Sequence, residues 1–148
     1  MTKPETARAL MIEHKINCAQ TVLLTFHEDL GLGRETALKV ASAFGGGMGR
    51  TGNRCGACTG AYIVIGLAQQ ISLDNPRASQ DKIYDLVKEF DRRFTALHGT
   101  LTCKELVHVD LNTPEGQAEM KAKELHIPIC SGLVADAARI LGDMLQPK

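Results

Sequence analysis

The chain has 148 residues, of which 44% are hydrophobic, and its 17 basic residues balance 17 acidic ones. This length predicts one domain, and two Tyr, four Phe and no Trp predict a largely aliphatic core. The balanced charge argues against nucleic acid or an anionic membrane as partner, and no apolar run reaches the ~18 residues that span a bilayer. The N-terminal residues lack the apolar region of a signal peptide, so we expect a cytoplasmic protein.

Apolar residues at helical spacing predict that the first half of the chain is helical. Thr6 to about Leu30 is predicted to be one long helix, with His14 and Cys18 on its apolar stripe. A second helix is expected from Arg34 to Phe44. A third should begin after Asn53 as its N-cap and extend to about residue 70. The β-branched residues at its centre also permit a buried strand, but no second strand candidate exists to pair with it.

The pattern in residues 79–105 predicts two more helices. Residues 79–97 form a clean amphipathic stripe that His98-Gly99 should end. Thr102 and Glu105 match a capping box, which would make Cys103 the first residue of a short helix.

The C-terminal region completes a helical bundle. Residues 114–125 are predicted to form a surface helix, and Pro128 suits the first turn of a last helix that carries Cys130 on its inner face. The sequence therefore predicts an all-α, single-domain bundle of about five to six helices over residues 1–148.

The five cysteines are the main candidates for chemistry. In a cytoplasmic protein they indicate metal ligation or thiol redox exchange rather than a disulfide framework. Cys55, Cys103 and Cys130 each fall in the predicted first turn of a helix, where free N–H groups and positive potential favour thiolate. Cys55 and Cys58 also have the two-residue spacing of zinc, Fe–S and redox-disulfide sites. Cys18, in the middle of a predicted helix, fits a small core residue equally well.

The histidines give a weaker signal. None of the five forms an i, i+4 His pair of the kind that binds metals. His14 is a candidate ligand beside Cys18, although a buried core histidine is the more common role.

The Gly-rich segment, defined here as residues 44–60, contains seven glycines together with Cys55 and Cys58. It formally matches the dinucleotide-binding fingerprint, but it follows a predicted helix rather than a strand. It is also consistent with a flexible loop. We favour a third interpretation, in which its backbone approaches a cysteine-held cofactor closely. The residues expected to contribute to cofactor binding are Gly46, Gly47, Gly49 and Arg54.

Taken together, these features resemble the redox-active protein family named for its Cys…Gly-Cys-Ala-x-x-Gly…Cys…Cys pattern. The resemblance covers about residues 10–142 and rests on Asn17-Cys18-Ala-Gln, Phe44-Gly-Gly-Gly-Met-Gly-Arg, Cys55-Gly-Ala-x-Thr-Gly60, Cys103 and Cys130. It implies that Cys18, Cys55, Cys103 and Cys130 are the family's cysteines and that Cys58 is an additional thiol.

The chain departs from this pattern in two respects. Cys55 precedes Gly56, whereas the family's name has Gly before Cys, and Cys58 is an extra thiol at a variable position. A domain of this kind also resembles part of the split-Soret cytochromes, which are dimeric and carry an iron centre held by cysteines. The chain has no Cys-x-x-Cys-His motif, so covalent haem is not expected.

We therefore expect a cysteine-ligated metallocluster protein that transfers electrons or carries the cluster, with iron–sulfur favoured over Cu(I) or Zn. Its ligands would be Cys55, Cys103 and Cys130, with Cys58 or Cys18 as the fourth.

Two alternatives remain from the sequence. One is a thiol–disulfide oxidoreductase or redox sensor, in which Cys55 attacks and Cys58 resolves. The other is a helical interaction module with inert cysteines and no cofactor. If the protein is an enzyme, we expect an oxidoreductase. We also expect a homodimer with an unidentified redox partner protein, and neither nucleic acid nor membrane as partner.

Overall fold

A computed structural model describes residues 1–146, so the last two residues of the predicted domain lie outside the described part. Residues 1–146 form eight helices and no strands, which confirms the all-α class and corrects the predicted number of helices. The helices are α1 (Lys3–Glu13), α2 (Cys18–Phe26), α3 (Arg34–Ala41), α4 (Gly56–Leu67), α5 (Gln80–His98), α6 (Cys103–Val107), α7 (Pro114–Ala122) and α8 (Ser131–Met144).

The predicted helix from Thr6 to Leu30 is in fact two helices. α1 ends at His14, whose φ of 56° is left-handed. Asn17 then caps α2, because its side chain accepts the N–H of Gln20 while the Gln20 side chain accepts the N–H of Asn17. This capping box makes Cys18 the first residue of α2, so the prediction that it lies in the middle of a helix is wrong.

Two predicted N-caps are also wrong. The N-cap of α4 is Cys55 rather than Asn53, because the carbonyl of Asn53 accepts the N–H of Cys103 and the chain stays extended up to Cys55. The capping box before α6 does not form within the described residues. The side chain of Glu105 instead accepts a hydrogen bond from the Thr100 hydroxyl, while Cys103 is indeed the first residue of α6.

The last helix begins differently from the prediction based on Pro128. A π-helical turn, His126–Cys130, precedes α8, and the N–H of Cys130 donates to the carbonyl of Leu125. Cys130 therefore lies at the junction of a π turn and an α-helix rather than in a free first turn. Such π turns often occur at functional sites in proteins.

The other predicted elements agree with the structure. The apolar segment after Cys55 is a helix and not a strand, and α5 ends at Gly99, which has a left-handed φ of 79°. One core joins the helices, and its largest fully buried side chains include Leu23, Ile65, Phe90, Phe94 and Leu141.

Helices α2 and α4 cross at very short range in this core. A Cβ atom added at Gly60 would lie 2.8 Å from the carbonyl oxygen of Ala19, so no larger residue fits without displacing α2. This contact brings the N-terminal ends of α2 and α4, and with them Cys18 and Cys55, to one side of the molecule.

No single helix in residues 1–146 has the length and apolar character to cross a membrane. One bent pair, Pro114–Ala122 with His126–Met144, meets that test jointly across a 75° bend.

Candidate redox and metal site

Four of the five cysteines line one cavity of about 920 Å³. Cys18 begins α2, Cys55 caps α4, Cys103 begins α6 and Cys130 ends the π turn before α8. All five cysteines are free thiols, and Cys58 lies outside the cavity. Residues that are far apart in the sequence thus present four sulfur atoms to one space.

The Gly-rich segment forms one wall of this cavity. Gly46 and Gly47 have left-handed φ angles of 64° and 70°, so Gly45–Met48 is not a regular helix. A Cβ atom added at Gly47 would lie 2.7 Å from Cβ of Cys103 and 2.6 Å from the backbone nitrogen of Asn53. The backbone thus packs directly against a cavity cysteine, whereas the predicted approach of this segment to a cofactor stays a prediction.

Backbone hydrogen bonds clamp the chain before α4 to the chain before α6. The N–H of Cys55 donates to the carbonyl of Leu101 at 2.8 Å, and the N–H of Cys103 donates to the carbonyl of Asn53 at 2.7 Å. These bonds set the separation of two cavity cysteines. They also use the Cys103 N–H within the backbone, so it is not available to a thiolate.

Cys18 is held beside the start of α4. A Cβ atom added at Gly56 would lie 3.0 Å from Cβ of Cys18, so the glycine after Cys55 allows the two cysteines to approach. The sulfur of Cys18 also lies 3.7 Å from the sulfur of Met11.

Cys55 and Cys58 have opposite protonation tendencies. A hydrogen bond from the Cys58 thiol, supported by the backbone N–H groups of Ala57 and Cys58, lowers the pKa of Cys55 despite its burial. The same hydrogen bond, with burial and the negative charge of Cys55, raises the pKa of Cys58. Cys55 is therefore the more readily ionised thiol of this pair.

Two of the other cavity thiols, Cys103 and Cys18, have raised pKa values. Burial and the nearby Cys55 and Cys130 raise the pKa of Cys103 to about 12. Interaction with the Cys130 thiol, followed by burial, raises the pKa of Cys18. Several thiolates this close repel one another, so a positively charged centre is needed to hold them all in the ionised form.

Cys58 and Arg54 face a different part of the protein. Cys58 is fully buried in the core, one helical turn before Tyr62. The Arg54 guanidinium donates to the Tyr62 hydroxyl at 2.9 Å and to Asp91 at 3.1 Å, while Tyr62 donates to Asp91. Arg54, which the sequence analysis expected at the cofactor, instead ties α4 to α5.

Two histidines that the sequence analysis did not pair meet at the cavity. The rings of His14 and His126 stack with their centroids 3.8 Å apart and their planes inclined by 24°, and both residues line the cavity. They are too far apart in the chain for an i, i+4 search to find them. His14 precedes Cys18 by four residues and His126 precedes Cys130 by four residues, and this shared spacing could have identified the pair from the sequence.

The four cavity cysteines supply sulfur donors. Within residues 1–146, no three His, Cys, Asp or Glu side chains come together at the spacing that one metal ion requires. A polynuclear centre binds its cysteines through different metal atoms, so its ligands stand farther apart. Thiolates are soft donors that select Fe–S, Cu(I) or Zn.

The fold and the site define a helical protein with a four-cysteine cavity. Residues 16–144 match the model of the family described as "Putative redox-active protein (C_GCAxxG_C_C)". The chain belongs to this redox-active family, which confirms the resemblance seen in the sequence. No curated protein and no solved structure matched the chain significantly.

Proposed function

We propose that Cys18, Cys55, Cys103 and Cys130 hold an iron–sulfur cluster and that the protein transfers single electrons or carries the cluster. The observation that carries this proposal is the convergence of these four thiols, from four separate parts of the chain, on one cavity. The bound cluster would supply one-electron chemistry at this site. Cu(I) and Zn are the alternative metals for the same donors.

Cys18 is the fourth ligand in this proposal. It lines the cavity with the other three cysteines, whereas Cys58 packs in the core behind Cys55. The sequence alone did not decide whether Cys18 or Cys58 is the fourth ligand, because Cys18 was expected in the middle of a helix.

The helix N-termini next to Cys18 and Cys55 support negative charge at the site. The partial positive charge of these N-termini would offset the negative charge of a thiolate-held cluster, and the N–H groups of Ala57 and Cys58 favour the thiolate form of Cys55. Gly46 and Gly47 line one side of the cavity.

Anaerobic reconstitution of the purified protein with iron and sulfide tests this proposal. We expect visible absorption from thiolate-bound iron, stoichiometric iron and acid-labile sulfide, and an EPR signal in one of the two oxidation states. Colourless, metal-free protein after reconstitution would contradict it.

A second candidate function, thiol–disulfide exchange, is supported by the lowered pKa of Cys55 beside protonated Cys58. The Cys55 thiolate would attack a substrate disulfide, form a mixed disulfide and release one substrate thiolate. Cys58, after losing its proton, would then attack the Cys55 sulfur and release the second. The substrate gains two electrons and the proton of Cys58, so it leaves as one thiol and one thiolate, and the protein keeps a Cys55–Cys58 disulfide.

The two functions differ in their need for Cys103. Disulfide exchange requires only Cys55 and Cys58, so Cys103→Ser should keep disulfide reductase activity and Cys58→Ser should lose it. If the protein instead holds a cluster, Cys103→Ser should lose bound iron and Cys58→Ser should keep it.

We also propose that the protein is a homodimer, as the split-Soret resemblance implies. The formal net charge of zero is compatible with self-association because it provides little repulsion between copies. Sedimentation at micromolar concentration should show a dimer, and a monomer at all concentrations would contradict this.

A further inference from the structure

The five thiols of the chain fall into two pairs and one single residue. The thiols of Cys55 and Cys58 are hydrogen-bonding partners, and so are those of Cys18 and Cys130. Cys103 is affected by burial and by the charges of neighbouring cysteines rather than by a hydrogen bond to another thiol. Disulfide exchange through Cys55 and Cys58 leaves the second pair without a role.

The fold holds Cys18 and Cys130 together although they are far apart in the sequence. Cys18 is the first residue of α2, and Cys130 ends the π turn before α8. These two helices pack against each other, and both cysteines line the cavity. The packed backbone on either side therefore keeps the two sulfur atoms near each other in the folded protein.

A small reagent can reach this pair through Cys18. The Cys18 side chain is half-buried, whereas the other four cysteines are buried. Its sulfur also lies 3.7 Å from the sulfur of buried Met11, which leaves the cavity side as the approach. A cavity of about 920 Å³ has room for a small disulfide beside Cys18, with Cys130 placed to react second.

We propose that Cys18 and Cys130 are a second redox-active dithiol, which a low-molecular-weight disulfide such as oxidised glutathione converts into a Cys18–Cys130 disulfide. Cys18 loses its proton and attacks the oxidant, which forms a mixed disulfide and releases one thiolate. Cys130 then loses its proton, attacks the Cys18 sulfur and releases the second thiolate. The two protons convert the released thiolates into thiols, and the oxidant gains two electrons.

This couple goes beyond the proposed cluster because it needs neither Cys55 nor Cys103. One consequence rests on the proposed function. The disulfide removes two of the four cluster ligands, so the oxidised protein should take up no cluster until a reductant restores the thiols.

Peptide mapping of the cluster-free protein tests the proposal without any activity assay. Because its interaction with Cys130 and burial raise the pKa of Cys18, incubation with oxidised glutathione is run at pH ~9, where thiolate forms more readily. Free thiols are then blocked with iodoacetamide under denaturing conditions. Monomer from a non-reducing gel is digested with trypsin.

Trypsin separates the relevant cysteines. Cys18, Cys103 and Cys130 fall on three peptides, 16–34, 94–104 and 124–139, while Cys55 and Cys58 share peptide 55–77. We expect peptide 16–34 linked to peptide 124–139 in most of the monomer, and the iodoacetamide label on Cys103.

Cys103→Ser and Cys130→Ser are matched variants, because both residues line the cavity and are only 7% and 4% exposed. Cys103→Ser should keep the linked peptides, and Cys130→Ser should lose them. A Cys55→Ser, Cys58→Ser variant should also keep them, since the proposed disulfide does not use these cysteines.

Several results would overturn the proposal. They are alkylation of both Cys18 and Cys130, a link between Cys18 and Cys103, a persistent mixed disulfide of Cys18 with glutathione, and linked peptides found only in covalent dimers. Iron uptake by the reduced protein is measured separately. Linked peptides without iron uptake would contradict only the cluster, and iron uptake without linked peptides would contradict only the disulfide.

Discussion

The two thiols of the Cys-x-x-Cys motif belong to two different regions of the molecule. Cys55 lines the cavity with Cys18, Cys103 and Cys130, while Cys58 is buried in the core near Tyr62 and Asp91. Both sit at the N-terminus of α4, yet they face different surroundings. Sequence spacing alone therefore does not place two cysteines in one site.

The two regions also differ in what holds them. The cavity side depends on close backbone approach at glycines and on backbone clamps between segments. The core side depends on apolar packing and on the hydrogen-bonded side chains of Arg54, Tyr62 and Asp91. Substitutions on the cavity side should therefore destabilise the fold through backbone strain and overpacking, and substitutions on the core side through lost packing or lost hydrogen bonds.

The largest effect is expected at the cavity wall. Gly47→Ala forces a left-handed φ on a side chain and places Cβ within 2.7 Å of Cys103 and the Asn53 backbone. We expect a loss of about 2–4 kcal/mol in the free energy of unfolding, from backbone strain and overpacking together.

Gly49 is the matched control for this prediction. It has a similar φ of 64°, but the nearest atom to an added Cβ is 3.9 Å away. Gly49→Ala should lower the free energy of unfolding in urea only by the contribution of backbone strain, about 1–2 kcal/mol. Equal losses for the two variants would mean that the contact with Cys103 contributes nothing.

The next effect is expected on the core side. Tyr62→Phe removes the hydroxyl that bonds both Arg54 and Asp91. Because Arg54 and Asp91 are partly exposed, we expect a loss of about 1–2 kcal/mol, below the full value for a buried charged hydrogen bond. Tyr84→Phe, at an exposed tyrosine, should leave urea unfolding unchanged, and an equal loss there would contradict this role of Tyr62.

Thiol reactivity separates the two cysteines directly. Because its pKa is lowered, Cys55 should react with iodoacetamide at lower pH than Cys103 does. Cys103, with a pKa raised to about 12, should stay largely unlabelled at neutral pH. Peptide mapping by mass spectrometry across pH 6–9 measures both.

Cys58→Ala sharpens this test. It removes the thiol that donates to Cys55, so the pKa of Cys55 should rise and its labelling midpoint should move to higher pH. Cys58→Ser keeps a donor and should shift the midpoint less. An unchanged midpoint in Cys58→Ala would contradict the hydrogen bond between the two thiols.

The smallest effect concerns the helix that begins at Cys18. Asn17→Ala removes a capping box and should cost about 1 kcal/mol in the free energy of unfolding. Thr102→Ala, before Cys103, should cost clearly less because its side chain does not cap α6 within the described residues. A larger loss for Thr102→Ala than for Asn17→Ala would contradict the assignment of Asn17, and not Thr102, as a side-chain cap.

Much of this fold is predictable from the sequence because long amphipathic patterns dominate it. The pattern of α5 and the turn at Gly99 indicate both ends of that helix correctly. The continuous apolar stripe through His14 and Cys18 hides a break, because the local caps at Asn17 and Gln20 outweigh periodicity. The π turn before α8 has no comparable sequence signal.

The candidate site is predictable only in part. Resemblance to the family predicts which four cysteines belong to its pattern. The family match confirms that the chain belongs to the family. Their meeting in one cavity, the exclusion of Cys58 and the His14–His126 stack depend on tertiary packing. Contacts between residues more than a hundred positions apart leave no local pattern in one sequence.

The most direct test of the central claim compares Cys18→Ser with Cys58→Ser after anaerobic reconstitution. Iron and sulfide per chain should match the original protein in Cys58→Ser and fall to background in Cys18→Ser. Loss of iron in Cys58→Ser with full retention in Cys18→Ser would contradict the four-cysteine cavity as the cluster site.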